Sequence, residues 1–345
     1  MKSTQMQQQA IRGSLGDSLP GIDASLLTGD RSDRTQAARQ IRKACLETGF
    51  FCIDNFLAQS AAHQELLLQM QRFFDIPDND VRKMAIDVSE QEHSHGWMPM
   101  FGEPAYQPGT IAHLESFDCG RARRAVEGPD WTPNRWPEMP GFRAAVRAVW
   151  DELAMIGTES LRAIAEAFEF EREFLVERCN SQDLSTMRLL HYPSHTPAAD
   201  DKSNVGIAAH TDFECITLIS QTAPGLELQD VNGDWYDAPA QADRLVVMPG
   251  DMLERWTNGA CRATGHRVRT RGWQRYSVVL FFAVNEDITI VPQDKFLTSD
   301  RLAGYAPVTQ RDHSNAQLMK AEKNRDDAAN DQISSPVTGA LEHRD

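Results

Sequence analysis

Apolar residues return every three or four positions through three stretches of the first half of the chain. Ile41, Ala44 and Cys45 share one side of a segment that Ser32 or Asp33 can cap. Leu66, Leu67, Met70, Phe73 and Phe74 do the same from Ala61 to Phe74, where Pro77 stops the pattern. Val146, Val149, Trp150, Leu153, Ile156 and Leu161 extend it from Phe142 to Phe168, which predicts a long scaffold helix. "LPGIDASLL" reads as a short extended segment and "GFFCIDNF" as a strand. Residues 91–140 break the periodicity with Pro, Gly and Trp. A loop of that length inside a compact domain is uncommon and predicts a lid or binding loop.

From about Ser185 the spacing shortens to two. "TMRLLHYP", "VGIAAHTD", "CITLIS", "LELQDVNGDWYDA", "RLVVMPGD", "MLERWTNG", "RYSVVLFFAV" and "ITIV" are short β-favouring runs separated by Gly, Pro, Asn and Asp, which predicts a sandwich, jelly roll or barrel. After His313 the chain turns charged and rich in Ala and Asn, as a terminal helix and loose tail would be. The expected organisation is a polar leader (1–19), a mainly helical region (20–180) containing the loop 91–140, a β domain (181–292), and a C-terminal helix and tail (293–345).

Composition narrows the partners. With 345 residues, 41% of them hydrophobic, the chain can bury a large core. A formal charge of −15 without a basic stripe argues against nucleic acid. No run approaches the roughly 18 to 20 apolar residues of a membrane span, and the polar start lacks an apolar signal core. A cytoplasmic monomer or small homo-oligomer acting on a small molecule is expected. The six cysteines are scattered without a C-x-x-C pair and read as reduced thiols.

The chemistry lies within the β runs. His210 and Asp212 are two apart, so on a strand they project from one face and can share a ligand. His266 follows on another β-like segment. Two imidazoles and one carboxylate can occupy one face of an octahedral metal, as in non-haem Fe(II) oxygenases, although zinc also accepts such a set. A second pair, His113 and Glu115, has no comparable downstream histidine and is read as structural. Arg275 and Ser277 share a strand face with Val279 and Phe281. A buried arginine needs a partner, either a small-molecule carboxylate or an internal acidic residue. Arg188, Leu190 and Tyr192 alternate onto one face upstream, which offers a phenol and a second candidate anion contact.

In "HTDFECITLI", "WTNGACRATGHRVRT" and "QRYSVVLFF", supported by "ETGFFCIDNF", "LESFDCG", "LLHYP" and "MPGD", the sequence resembles the iron(II)/2-oxoglutarate-dependent dioxygenases of the isopenicillin N synthase-like family. The signatures run in family order from about residue 20 to 292. The resemblance implies a mixed α+β fold, a double-stranded β-helix (jelly roll, cupin-like) with a mainly helical N-terminal region packed on it. It implies Fe(II) on His210, Asp212 and His266, and the far carboxylate of 2-oxoglutarate on Arg275 and Ser277 with help from Tyr192. Many relatives carry Asn where this chain has Leu190. Asp212 argues against halogenation, for which the wider superfamily loses that carboxylate. The implied reaction consumes O2 and 2-oxoglutarate, releases succinate and CO2, and hydroxylates a substrate C–H with no side chain acting as general base. Alternatives are an isopenicillin N synthase-type oxidase that needs no 2-oxoglutarate, and a non-catalytic jelly-roll binding protein. Trp97, Met98, Phe101, Tyr106, Phe213 and Phe281, with Arg188, are candidates for the substrate wall.

Overall fold

Alternation of side chains produces two stacked sheets in the computed structural model, which describes residues 11–14, 19–56, 60–90, 95–121, 133–194, 204–241 and 243–334. The strands are β1 (Ile11–Ser14), β2 (Gly21–Asp23), β3 (Phe51–Asp54), β4 (Trp97–Met98), β5 (Ile111–Ala112), β6 (Glu115–Gly120), β7 (Thr186–Tyr192), β8 (Asn204–Val205), β9 (Ile207–His210), β10 (Ile216–Gln221), β11 (Leu226–Gln229), β12 (Trp235–Asp237), β13 (Leu245–Pro249), β14 (His266–Val268), β15 (Arg275–Phe282), β16 (Thr289–Ile290) and β17 (Val308–Thr309). Eight of them form a large sheet in the order β2-β3-β13-β10-β15-β7-β6-β4, and five form a smaller one, β1-β12-β11-β14-β9. The helices are α1 (Ala24–Thr28), α2 (Arg31–Glu47), α3 (Ala61–Phe74), α4 (Val81–Met84), α5 (Phe142–Ala167), α6 (Phe174–Cys179), α7 (Asp251–Trp256) and α8 (Gln310–Ser334).

The large sheet is buried on both faces, and residue parity sorts its side chains into two cores. Leu189, Leu218, Val247, Val278, Leu280 and Phe282 join one core with the apolar stripe of α5. Leu190, Ile219, Val246 and Val279 join a second core with Leu226, Leu228 and Val268 of the small sheet. The result is a helical layer on a jelly roll, with Arg275, Ser277 and Tyr192 on the face that looks toward the small sheet. Gly157 lets α5 lie close to the large sheet, since a Cβ there would fall 2.8 Å from the Phe282 ring.

Two stretches differ from the sequence expectation. "MLERWTNG" is not a strand: it supplies α7, whose Met252, Leu253 and Trp256 are buried on one side. Its end is set by Asn258 and Gly259, both at positive φ. The described part of the stretch 91–140 is not a free loop, because β6 pairs along its whole length with β7, and β4 adds an edge to the same sheet. Its alternation was masked by the Pro- and Gly-rich flanks. Within the leader, β1 pairs in parallel with β12, and the tail beyond 334 lies outside the described residues. All six cysteines are buried and free of disulfides. No helix among the described residues is long and apolar enough to cross a membrane.

Candidate active site

His210 closes β9 and His266 opens β14, and the two are direct cross-strand partners. Asp212 lies just past β9, where the chain bends back toward β10. Each imidazole uses Nδ1 on a backbone carbonyl, His210 on Ala208 at 2.8 Å and His266 on Thr264 at 3.2 Å. That bond places the proton on Nδ1 and leaves the Nε2 lone pair facing inward. The two Nε2 atoms lie 3.7 and 3.6 Å from Asp212 Oδ1, and one ligand atom from each residue fits within 4.8 Å of the others. Burial, then the charge of His266, holds the His210 pKa well below its ordinary value, so a proton is a poor occupant of this point. Asp212 Oδ2 is buried with no hydrogen-bond partner. Two imidazole Nε2 atoms and a carboxylate with spare lone pairs fit a divalent metal such as Fe(II). Among the described residues this is the one such cluster of three or more His, Cys, Asp or Glu.

Across the space between the sheets, Arg275 is buried on β15 opposite Tyr192 of β7, and Ser277 is opposite Leu190. The guanidinium donates from Nε and Nη2 to Gln221 Oε1 at 3.0 and 2.9 Å, and from Nη2 to Ser277 Oγ at 3.1 Å. It sits 4.5 Å over the Tyr192 ring. No carboxylate among the described residues pairs with it, and both Arg275 Nη1 and the Tyr192 hydroxyl lack a partner. Burial lowers the Arg275 pKa and raises that of Tyr192. Two unsatisfied donors beside an unneutralised cation suit an external carboxylate. The alternative of an internal salt bridge at Arg275 is therefore not realised among the described residues.

Comparison with known proteins agrees with this chemistry. The sequence profile of the 2OG-Fe(II) oxygenase superfamily matches residues 184–284, and that of the non-haem dioxygenase in morphine synthesis N-terminal region matches residues 19–139. The 2-oxoglutarate-dependent dioxygenase citB of Monascus ruber is 30% identical over 298 residues, covering 80% of this chain and 88% of that one. The chain belongs to the 2-oxoglutarate/Fe(II)-dependent dioxygenases. The 2-oxoglutarate-Fe(II) type oxidoreductase hxnY of Emericella nidulans is 29% identical over 308 residues, 85% of this chain and 87% of its own length. A 2OG-Fe(II) oxygenase family protein from Caulobacter crescentus superimposes with a TM-score of 0.76 at 26% identity, covering 87% of this chain and 98% of that structure. The cofactor of the dioxygenase is thus Fe(II), and its co-substrates are 2-oxoglutarate and O2.

The other predicted residues of the dioxygenase scatter. Tyr106 stacks on the His210 ring, 4.1 Å between centroids and 6° from parallel. Phe213 stands edge-on to both Tyr106 and His313. Phe281 is half-buried, 5.9 Å from the Arg188 guanidinium. Arg188 is committed to protein acids: Asp118 at 2.9 and 2.7 Å and Glu103 at 2.9 Å. Trp97 lies in the helix-side core, its Nε1 donating to Glu115 Oε2 at 2.7 Å. Met98 is half-buried on β4, and Phe101 is 48% exposed and edge-on to His113. Glu115 also accepts from Lys83 at 2.9 Å and meets His191 at 2.8 Å, which makes it a structural anchor.

Sequence reasoning missed four contributors. Gln221 orients Arg275 from β10, and only strand register reveals it. Gln310 and His313 of α8 hold the rim, Gln310 donating to Phe213 O at 2.9 Å and His313 meeting Asp251 at 2.7 Å. Glu214 follows two residues after Asp212, and burial followed by the charge of Asp212 pushes its carboxyl up to about 8. Its one sequence signal was an acidic residue two places after Asp212, in a bend that leads into an apolar strand.

Proposed function

We propose that this dioxygenase hydroxylates an unactivated C–H bond of a small molecule, with His210, Asp212 and His266 holding Fe(II) and with Arg275, Ser277 and Tyr192 gripping the far carboxylate of 2-oxoglutarate. The observation that carries the reading is the buried Arg275 guanidinium, which meets no acidic side chain among the described residues and shares the space between the sheets with the triad. Bound at the triad, iron supplies the oxidising chemistry that turns 2-oxoglutarate and O2 into succinate, CO2 and an oxidised product. The side chains keep the remaining tasks. His210 and His266 present lone pairs with fixed tautomers, and Gln221 and Ser277 hold the Arg275 fork in orientation. The stacked Tyr106 ring, with Phe213 and Phe281, shields the reacting carbon from water and sets which C–H is offered. No group needs to act as a general base. A cytoplasmic monomer or small homo-oligomer is the form we expect to act.

Succinate release, followed with Fe(II) and O2 across a metabolite library, tests the reading. Substrate-stimulated succinate formation that stops when 2-oxoglutarate is withheld is expected. Substrate oxidation that persists without 2-oxoglutarate would replace this reading with an isopenicillin N synthase-type oxidase. Metal binding with no O2 consumption under any substrate would leave a binding protein.

A further inference from the structure

The segment 102–107, "GEPAYQ", is short and stiff, with Pro104 inside it and Pro108 directly after it, and it is held from two sides. Toward the metal site, the Tyr106 ring lies parallel to the His210 imidazole, 4.1 Å between centroids. The next side chain, Gln107, is buried and donates from Nε2 to Ala209 O at 2.7 Å. β9 is the last strand of the small sheet, so Gln107 supplies a donor of the kind a further strand would bring. Tyr106 and Gln107 thus clip the strand end that carries His210, the first on its ring and the second on the backbone before it.

Behind the clip stands α8. Ala105 N–H donates to Ala321 O at 3.1 Å, Asn324 Nδ2 donates to Ala105 O at 3.0 Å, and Arg325 Nη1 donates to Gly102 O at 3.1 Å. Ala321 is buried at that contact. Both backbone groups of Ala105 are therefore bonded to the helix, one residue before the ring that lies on His210. Glu103 fixes the start of the segment, accepting from Ser116 Oγ at 2.7 Å and from Arg188 at 2.9 Å. At its other end α8 holds Phe213, the neighbour of Asp212, through Gln310.

We propose that Tyr106 is a positioning residue for the metal site, holding the His210 ring in the orientation that its Nδ1 bond to Ala208 sets, and that Asn324 and Ala321 of α8 keep Tyr106 in place. Metal occupancy and docking of the C-terminal helix are then coupled. This rests on the function proposed above, since it takes the triad as the metal site. A contact that is equally good in the empty and loaded protein does not change metal affinity; only a difference between the two states does. An imidazole that ligates a divalent cation carries part of its charge, and the face of a phenol ring attracts positive charge. The stack is therefore stronger in the loaded protein. By linkage, bound metal must tighten the hold of segment 102–107 on β9 and α8 by the same factor that the stack adds to metal affinity.

The test uses the full-length protein and Fe(II) alone, without O2, with affinity read by competition against a coloured chelator. Tyr106→Ala should weaken Fe(II) binding about tenfold, while Tyr106→Phe, which keeps the ring, should bind within about twofold of the parent protein. Asn324→Ala should weaken it about threefold. Hydrogen exchange adds a readout that a merely structural role would not move. Fe(II) should slow exchange of the backbone amides of 102–107 in the parent protein, and in Tyr106→Ala that slowing should be lost. Affinity unchanged in Tyr106→Ala, an equal loss in Tyr106→Phe, or exchange at 102–107 indifferent to Fe(II) in the parent would each overturn the inference. Unchanged affinity in Asn324→Ala would detach α8 from the metal site and overturn the coupling. Fe(II) binding by the parent that survives in His210→Ala would instead sink the triad, and with it the proposed function.

Discussion

A histidine whose Nδ1–H is spent on a backbone carbonyl has one lone pair left to give, and His210 and His266 are both in that state. Asp212 adds a carboxylate to the set. His210→Ala or Asp212→Ala should therefore yield protein that loses its iron on desalting, as metal analysis would show, and that makes no succinate. Arg275→Ala should behave differently, retaining iron while its 2-oxoglutarate affinity falls roughly 10- to 100-fold, the worth of a charge-assisted contact. Unchanged affinity in a titration would remove Arg275 from its assigned role. The triad and Arg275 were legible in the chain because a spacing of two puts side chains on one strand face. Gln221 and Glu214 were not, since each reaches its place through strand pairing or a bend that local pattern does not encode. Trp97 had the right composition for a pocket wall, yet its indole N–H found Glu115 on the other side of the sheet.

Elements meet at particular side chains, and two of these contacts are open to measurement. The α5 helix rests on the large sheet at Gly157, where the Phe282 ring leaves no room for a side chain. Gly157→Val should destabilise the fold by about 1–3 kcal/mol through overpacking, read as a lower urea midpoint with an unchanged slope. Glu115 ties α4, β4, β6 and β7 together through Lys83, Trp97 and His191, with Lys83 and Glu115 side chains 0% and 5% exposed. Burial alone would raise the Glu115 pKa, but the His191 and Lys83 contacts hold it below the ordinary carboxylate value. A depressed folded pKa stabilises above the unfolded value, about 4.3, and the benefit disappears as pH falls through the folded value. Glu115→Gln should cost about 1–3 kcal/mol near pH 7, because it leaves the buried Lys83 ammonium with only the exposed Asp78 carboxylate, and should flatten the acid limb in urea midpoints taken from pH 7 to 3. An acid limb as steep as that of the parent protein would show that other carboxylates govern it. The long helices and alternating strands were readable because their periods are carried by many residues at once. "MLERWTNG" was short enough for six residues of helix to pass as a strand, and β6 was hidden between glycines and prolines.

At the scale of the whole molecule, the two halves of the site belong to different sheets. The proposed metal ligands hang from β9 and β14 of the small sheet, and the proposed carboxylate anchor stands on β15, β7 and β10 of the large one. A 2-oxoglutarate that reaches from the iron ligands to Arg275 therefore spans the sandwich, and its affinity must depend on the metal just as metal affinity depends on it. A ligand at 100 times its dissociation constant stabilises the folded state by about 2.7 kcal/mol. Oxygen-free thermal unfolding with Fe(II), with 2-oxoglutarate and with both should show a combined midpoint shift larger than the sum of the separate ones. In Arg275→Ala the shift from Fe(II) alone should remain and the excess should disappear. Additive shifts in the parent protein would mean that the sheets bind their ligands independently, and the anchor would then have to be sought away from β15.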